Sequence, residues 1–333
     1  MSKKATIDIS LDDKDKIFKS GDVVSGKVTI SAIQEIKCNK IIVELIWKTH
    51  GRGNRDSEVV DRIRDRESKI TLTNHSTHTI DFSFNIPNSP LTYHGHYLNI
   101  DYYIRVTLDI PWAIDPEESK EILVQAGKID NYLPFNYSEE QKKPKNKKKF
   151  PLIVTIPLGI IVGALLIALL IFASWLFLII GIVYGIKRAM KWYAERKIGK
   201  VSLDCGNKII YPNSKLKINL NFTPKEKCQI NGIYSELKGF ESVTSGSGTN
   251  SHTYSHDLHK EKVTLVSNYS CIRGNQLNFS HEIQIPDIQA YSFESSSNRI
   301  KWELKVHIDI PGCPDWRETI QLSMYPSLPN DGR

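Results

Sequence analysis

The amino-acid sequence predicts an all-β chain of two tandem immunoglobulin-like β-sandwiches joined by a helical transmembrane hairpin. Three observations support this prediction. Apolar and polar residues alternate over two long stretches, the second stretch repeats the first about 200 residues later, and an uncharged apolar block separates them. Alternation with a period of two is typical of half-buried strands, whereas a long apolar block in a chain of ordinary hydropathy is typical of a membrane segment.

The first stretch covers residues 5–126. Its alternating segments include SGKVTISA, NKIIVELIWKTH, HTIDFSFNI and LNIDYYIRVTLDI, and turn clusters such as KSGD and PNSP separate them. β-Branched and aromatic residues are enriched in these segments, as they are in strands. The same alternation of apolar and polar residues returns from residue 199 onwards, so each stretch predicts a β-sandwich of about seven strands.

The two stretches are copies of each other. DFSFNIP is followed by a long strand that ends in Asp109-Ile110-Pro111-Trp112, and HEIQIP is followed by one that ends in Asp309-Ile310-Pro311-Gly312. A fixed offset between matching segments indicates a tandem duplication. The proline ends each strand because it cannot donate to a ladder, and this interpretation explains the motif better than a binding edge does.

The apolar block runs from Phe150 to Ile186 without a charged residue or a histidine. As one straight helix of 37 residues it would be roughly 55 Å long, whereas the hydrocarbon core of a bilayer is about 30 Å thick. Two spans with a turn between residues 168 and 175 therefore fit better than one long span with an embedded extension. Two short legs that form a re-entrant wedge, which never reaches the far leaflet, are a further alternative. Both flanks are basic, and this favours a hairpin with both ends on the cytoplasmic side.

The net charge of +7 is concentrated beside this block. Basic residues next to an apolar segment bind anionic lipid headgroups, while aromatic residues lie at the membrane interface. The predicted membrane-anchor residues are Phe150, Pro151, Pro157, Trp175, Tyr184 and Ile186. The predicted lipid-headgroup contacts are Lys145, Lys147, Lys148, Lys149, Lys187, Arg188 and Lys191.

The alternating segments resemble the arrestin-like family. IFKSGDVVSGKVTI is similar to the arrestin opening, a glycine-containing turn followed by a G-x-V strand, and KIIVELIWK is similar to its next strand. FSFNIPNSPLTYHGHYLNIDYYIRVTLDIP resembles the F-x-I-P strand and the long strand after it. The second half resembles the companion C-type sandwich. Neither a salt-bridged polar core nor a PPxY motif is recognised, so the resemblance does not imply receptor binding.

With this resemblance, the predicted division of the chain has six parts. These are an N-terminal arrestin-like sandwich (1–135), a basic linker (136–149), the transmembrane segment (150–187), a basic juxtamembrane helix (188–198), a C-terminal arrestin-like sandwich (199–327) and a disordered tail (328–333). For residues 189–197 an unordered linker is the alternative.

The sequence predicts no enzyme, no metal site and no cofactor. It contains no G-x-S-x-G, no P-loop and no G-x-G-x-x-G, and its carboxylates are scattered over turns. His252, His256 and His259 have a spacing that could bind zinc on a helix, but the surrounding SGSGTNSHTYSHDLHKEK predicts a surface loop. His94 and His96 are likewise predicted to lie in a loop. Five cysteines without close spacing predict reduced thiols.

These features together predict a membrane-anchored arrestin-like adaptor or scaffold that recruits a protein partner to the cytoplasmic membrane face. The expected partners are the lipid bilayer and an unknown protein, without nucleic acid or metal. The sandwich faces or the edge strands are the surfaces expected to bind the protein. The alternative is a structural or regulatory subunit of a membrane or envelope assembly that acts by self-association.

Overall fold

The structure is a computed structural model that describes residues 5–13, 17–64, 70–112, 115–127, 135–136, 178, 181–186 and 188–326. Almost all of the described secondary structure is β. The strands of the first half are β1 (Ala5–Leu11), β2 (Ile17–Lys19), β3 (Val23–Ala32), β4 (Ile36–Cys38), β5 (Lys40–Gly51), β6 (Ser57–Arg64), β7 (Ile70–Leu72), β8 (Thr77–Asn85), β9 (Tyr93–His94), β10 (Leu98–Asp109) and β11 (Glu117–Gln125).

These strands form a sandwich. One sheet has the order β1-β3-β8, the larger one has the order β2-β11-β10-β5-β6 with β9 beside β10, and β4 pairs with β7. Strand β3 shows why the sequence folds this way, since every second residue from Val24 to Ala32 is buried. The interior between the sheets contains Trp47, Phe84 and Tyr102, each less than 2% exposed.

The second half has the same architecture. Its strands are β12 (Phe135–Asn136), β13 (Ser202–Asp204), β14 (Ile209–Ile210), β15 (Lys215–Phe222), β16 (Cys228–Ser245), β17 (His252–Cys271), β18 (Leu277–Gln284), β19 (Phe293–Glu294), β20 (Asn298–Asp309) and β21 (Trp316–Met324). The small sheet has the order β13-β15-β18, and the large sheet has the order β12-β19-β20-β16-β17, with β21 paired to β20 and β14.

Equivalent side chains make equivalent bonds in the two halves. The Tyr102 hydroxyl donates to the Pro90 carbonyl at 2.8 Å, and the Trp302 indole donates to the Ala290 carbonyl at 2.9 Å. At the far end of the long strands, Asn39 donates to Asp109 and Asn231 donates to Asp309, both at 3.1 Å. The two halves therefore repeat one structure down to individual hydrogen bonds.

A helix leads into the second sandwich. Residues 181–186 and 188–198 are helical and are called α1 here. Ala194 and Ile198 are fully buried in the core of the second sandwich. The Trp316 indole donates to Glu195 at 3.3 Å, and Lys191 pairs with Glu318. The second half of α1 is thus attached to the sandwich by both apolar and polar contacts.

This arrangement corrects the prediction for the central block. Among the described residues, no helix combines the length and the apolar composition needed to cross a bilayer. The predicted helical transmembrane hairpin, and with it the integral-membrane location, is therefore wrong. The physical reason lies in α1, whose uncharged run of described residues is only 181–186 and whose remainder is charged and packs on protein. Residues 150–177, 179–180 and 187 of the predicted segment lie outside the described residues.

Candidate interaction sites at the interdomain junction and the Trp112 turn

The two sandwiches meet in a junction built from two hairpin turns and two loops. The turn between β5 and β6 approaches the turn between β16 and β17, where Asn54 Nδ2 donates to the Gly246 carbonyl at 2.7 Å. The loops that precede β10 and β20 complete the contact. These segments come together because the long strands β10 and β20 both begin at the junction.

Asp56 supplies the first sandwich's acceptor. It is 9% exposed and lies against the loop that precedes β20. Its carboxylate accepts hydrogen bonds from the Ser297 backbone amide at 3.0 Å, from Ser295 Oγ at 2.6 Å and from Asn298 Nδ2 at 2.8 Å. Ser296 Oγ donates to the second carboxylate oxygen. A buried carboxylate is stable when several donors replace its water, and Asp56 has four such donors.

Glu241 supplies the second sandwich's acceptor. It is fully buried and reaches in the opposite direction, to the loop that precedes β10. It accepts from the Tyr97 backbone amide at 2.6 Å and from the Tyr93 hydroxyl at 3.3 Å. Residues 97 and 297 are equivalent in the repeat. Each sandwich therefore uses one buried carboxylate to hold the same backbone amide of the other.

Aromatic and imidazole rings lie around the hydrogen bonds of the two buried carboxylates. Trp47 and Phe293 meet edge to face with centroids 5.9 Å apart, and His96 stacks on His256 at 4.3 Å. The Arg52 guanidinium lies 3.9 Å from the centroid of the Tyr254 ring. Val243, Ala290, Phe293 and Ile300 of the second sandwich belong to the same buried apolar cluster as the first sandwich's core. The junction is consequently a continuation of the core, and it holds the two sandwiches as one body.

The Tyr93 hydroxyl gives the junction a measurable response to alkali. Its pKa is raised above the ordinary value because burial disfavours the phenolate and because the Glu241 carboxylate repels it. In the unfolded chain a tyrosine ionises near pH 10. Neutral Tyr93 therefore stabilises the fold fully below about pH 10, and this contribution is lost as the pH rises through the folded-state pKa.

We expect Tyr93→Phe to reduce the alkaline loss of stability. The free energy of unfolding should fall less steeply above about pH 10 in the variant than in the wild-type chain, because phenylalanine has no proton to release. Urea unfolding at a series of pH values measures both slopes. Equal slopes for the two proteins would contradict the assignment of this response to Tyr93.

A second candidate site lies at the opposite end of β10. Trp112 follows Asp109-Ile110-Pro111, has a φ of +59° and is completely exposed. The equivalent residue of the second sandwich is Gly312, with a φ of +69°. A hydrogen bond holds the residue that precedes this turn, because the Ile110 amide donates to Asp115 at 2.9 Å. A cleft of about 350 Å³, lined by Glu35, Ile36, Lys37, Ile110 and Pro111, adjoins it.

Comparison with known proteins bears on the first half of the chain. Residues 2–126 match the family model described as the C-terminal domain of arrestin (or S-antigen). The first sandwich is arrestin-like. The sequence resemblance is thus confirmed for this sandwich, although it placed the C-type domain in the second half and the match falls on the first. An arrestin-like fold suggests an adaptor or regulatory role in general terms.

Among solved structures, the sporulation control protein Spo0M from Bacillus subtilis is similar to this chain. The sequences are 10% identical, the match covers 96% of this chain and 91% of Spo0M, and the TM-score is 0.33. No curated protein matches the sequence significantly.

The histidines singled out in the sequence lie on strands of both sandwiches and at the junction between them. His252, His256 and His259 belong to β17, so the predicted surface loop is wrong at these positions. Within the described ranges no group of three potential ligands is placed to hold a metal ion. His94 and His50 both contact the buried Asp101, with His94 Nε2 2.6 Å from the carboxylate.

Four of the predicted membrane residues lie in the part of the chain that the structure describes. Tyr184 and Ile186 are exposed on α1, and Lys191 contacts Glu318 and Trp316 of its own chain. Arg188 is also exposed. The remaining predicted anchor and headgroup residues lie outside the described residues: Phe150, Pro151, Pro157, Trp175, Lys145, Lys147, Lys148, Lys149 and Lys187. Their contacts with lipid stay predictions.

Sequence reasoning missed the junction. Asp56 lies in the charged stretch GRGNRDSEVV, which predicts a loop or a short helix, and Glu241 lies in an ordinary alternating strand. The neighbouring residues in the sequence do not distinguish either acid from a solvent-exposed carboxylate. The sequence does distinguish Trp112 as a candidate functional residue, because the repeat has glycine at the equivalent position of the second sandwich.

Proposed function

We propose that the protein is a non-enzymatic, arrestin-like adaptor that recruits a protein partner, with Trp112 as the anchor of the binding surface. The observation that carries the proposal is the combination of full exposure and a left-handed backbone at this tryptophan. An unusual backbone conformation at a bulky residue is a sound starting point for a functional hypothesis.

The fold does not require tryptophan at this position. A positive φ costs an L-residue about 1–2 kcal/mol relative to the right-handed region, whereas glycine adopts it freely. Gly312 makes the equivalent turn in the second sandwich without that strain. Tryptophan at position 112 is therefore less stable than the residue used by its own repeat, and a function outside the fold explains why it is there.

Tryptophan suits an anchor. It is among the residues that contribute most to binding energy at protein interfaces, because its large ring leaves water on association. The neighbouring cleft gives the partner a second point of contact. Its walls combine the apolar Ile36 and Ile110 with the charged Glu35 and Lys37, a mixture of the kind found at the rim of protein interfaces.

The long outer strands of the two large sheets are less suitable for strand addition. Strand β6 has an irregularity opposite Leu45/Ile46 and carries Asp61, Arg62 and Arg64. Strand β17 has two irregularities and carries Asp257, Lys260, Glu261 and Lys262. Bulges and charges on an outer strand oppose pairing with another strand. A surface anchored on a side chain therefore fits this molecule better than an added strand.

The test is Trp112→Gly in the full chain. We expect the variant to be more stable by about 1 kcal/mol, because glycine removes the strain at positive φ. Affinity for a partner isolated with the wild-type chain should fall roughly 10- to 30-fold, the effect of losing an interface anchor. Calorimetry or surface plasmon resonance measures the affinity, and urea unfolding measures the stability.

Trp192→Ala is the matched control, since Trp192 is an exposed tryptophan on α1, in the second half of the chain. It should leave partner affinity unchanged. Unchanged affinity for Trp112→Gly would contradict the anchor. The molar mass of the wild-type chain in solution distinguishes an adaptor from a self-associating subunit. An adaptor is expected to be a monomer that binds an unlike protein, whereas a homo-oligomer without such a partner would favour the self-associating subunit.

A further inference from the structure

Two cysteines face each other at the base of the longest hairpin. Cys228 is the first residue of β16 and Cys271 is the last residue of β17. They are direct partners in the antiparallel register, and Cys228 lies close enough to Cys271 to raise the pKa of its thiol. Cys228 is 7% exposed and Cys271 is 1% exposed. The pair is separate from both the junction and the Trp112 turn.

The backbone geometry matches that of a disulfide. Directly opposed residues of an antiparallel ladder have Cα atoms about 4.5 or 5.5 Å apart. Disulfides span Cα separations of about 4.4–6.8 Å. The register therefore places the two residues within the range of Cα separations that a disulfide can span.

We propose that Cys228 and Cys271 form a reversible disulfide, with a peroxide as the oxidant. Hydrogen peroxide converts the thiol of Cys228, the more exposed of the two, to a sulfenic acid and is itself reduced to water. The Cys271 sulfur then attacks the Cys228 sulfur, the hydroxyl group leaves as a second water, and the S–S bond forms. Two S–H bonds are lost and the two electrons reduce one peroxide. A thiol reductant reverses the reaction.

The environment of the pair sets the order of these steps. The pKa of the Cys271 thiol is raised to about 12, because burial disfavours the thiolate and because Cys228 lies beside it. A thiol of this kind is a poor first target for peroxide, since the thiolate is the reactive form. Cys228 is also the more exposed of the two side chains, so peroxide attacks Cys228 first, and Cys271 then resolves the sulfenic acid as its thiol proton leaves with the hydroxyl group.

The bond would fix the register of β17. This strand pairs with β16 and with no other strand among the described residues, and the ladder between them shifts at Ile233/Tyr234 and at Gly239/Phe240. Outer strands with irregular pairing are weakly held in register. The other end of the hairpin carries Glu241 and Tyr254, which belong to the junction. Oxidation at the base thus secures the strands that hold the two sandwiches together.

The experiment treats the purified full chain with hydrogen peroxide and maps disulfides by peptide mass spectrometry under non-reducing conditions. We expect one predominant cross-linked peptide pair, containing Cys228 and Cys271, which disappears on addition of dithiothreitol. The melting temperature of the oxidised chain should rise by about 5 °C or more, because the bond closes a long loop.

Two variants complete the test. Cys38→Ser is the matched control, since Cys38 is a buried strand cysteine opposite Ile70 rather than opposite a second thiol. It should leave the cross-link and the temperature shift unchanged, whereas Cys271→Ser should abolish both. Absence of the Cys228–Cys271 peptide from the oxidised wild-type chain would overturn the proposal, whether or not the variants fold. So would cross-links distributed equally among all five cysteines.

Discussion

Asp56→Ala is expected to lower the free energy of unfolding by about 3 kcal/mol. The substitution leaves the Ser297 amide and the side chains of Ser295, Ser296 and Asn298 without their shared acceptor in a place that water reaches poorly. Unsatisfied buried donors cost about 1–3 kcal/mol each before relaxation, so the loss is far larger than that of a surface substitution. Urea unfolding followed by tryptophan fluorescence measures it.

The control for this prediction is Asp81→Ala. Asp81 pairs with Lys27 at 3.7 Å, but its carboxylate side chain is 84% exposed. Exposed ion pairs contribute about 1 kcal/mol at most, so this variant should retain nearly full stability. Equal losses for Asp56→Ala and Asp81→Ala would show that the junction does not depend on the buried carboxylate.

Gly26→Ala is expected to destabilise the first sandwich by about 2–3 kcal/mol. An added Cβ would lie 2.2 Å from the Ser10 carbonyl oxygen and 2.8 Å from Phe82 Cζ. Gly26 pairs with Leu11 across β1 and β3, so the methyl group would push the end of β1 away from its ladder. Overpacking against backbone cannot be relieved by a rotamer change, and costs of this size are typical. Thermal and urea unfolding measure the loss.

Gly185→Ala separates this steric effect from the general effect of replacing glycine. A Cβ at Gly185 meets nothing within 4 Å, and the residue lies in helical backbone, where alanine is favoured. We expect this variant to be at least as stable as the wild-type chain. A similar loss at both positions would mean that the contact with Ser10 is unimportant. The G-x-V segment that suggested the family thus has a steric reason for its glycine.

The sandwiches could be predicted because their signals are local or periodic. Alternation in SGKVTISA becomes the alternating burial of β3, and the matching segments that end in Pro111 and Pro311 become β10 and β20. Strand faces are set by side-chain hydrophobicity at a period of two, which a single sequence shows directly. Because the pattern occurs twice, it also predicts the number of domains, since each copy has to bury its own apolar face.

The junction could not be predicted because its bonds join distant residues, including pairs 144 and 239 positions apart. Asp56 reaches Ser295 and Glu241 reaches Tyr97 only after both sandwiches have formed, and no pattern of composition records which acids will then be buried. The packing of α1 on the second sandwich could not be predicted for a related reason. Hydropathy predicts the environment of a segment from its own residues, whereas Ala194 and Ile198 are buried by the neighbouring sandwich.

The two halves contribute different residues to the contacts across the junction. The amides of residues 97 and 297 are equivalent, but the acceptors are not, since Glu241 stands on the long strand before its turn and Asp56 follows the turn. Thr49 occupies the place of Glu241 in the first half, but its hydroxyl accepts from Asn298 Nδ2 at 3.0 Å, and the Ser297 amide donates to Asp56. Two copies of the same half would bring mismatched donors and acceptors together. The two halves are therefore complementary rather than interchangeable at the junction.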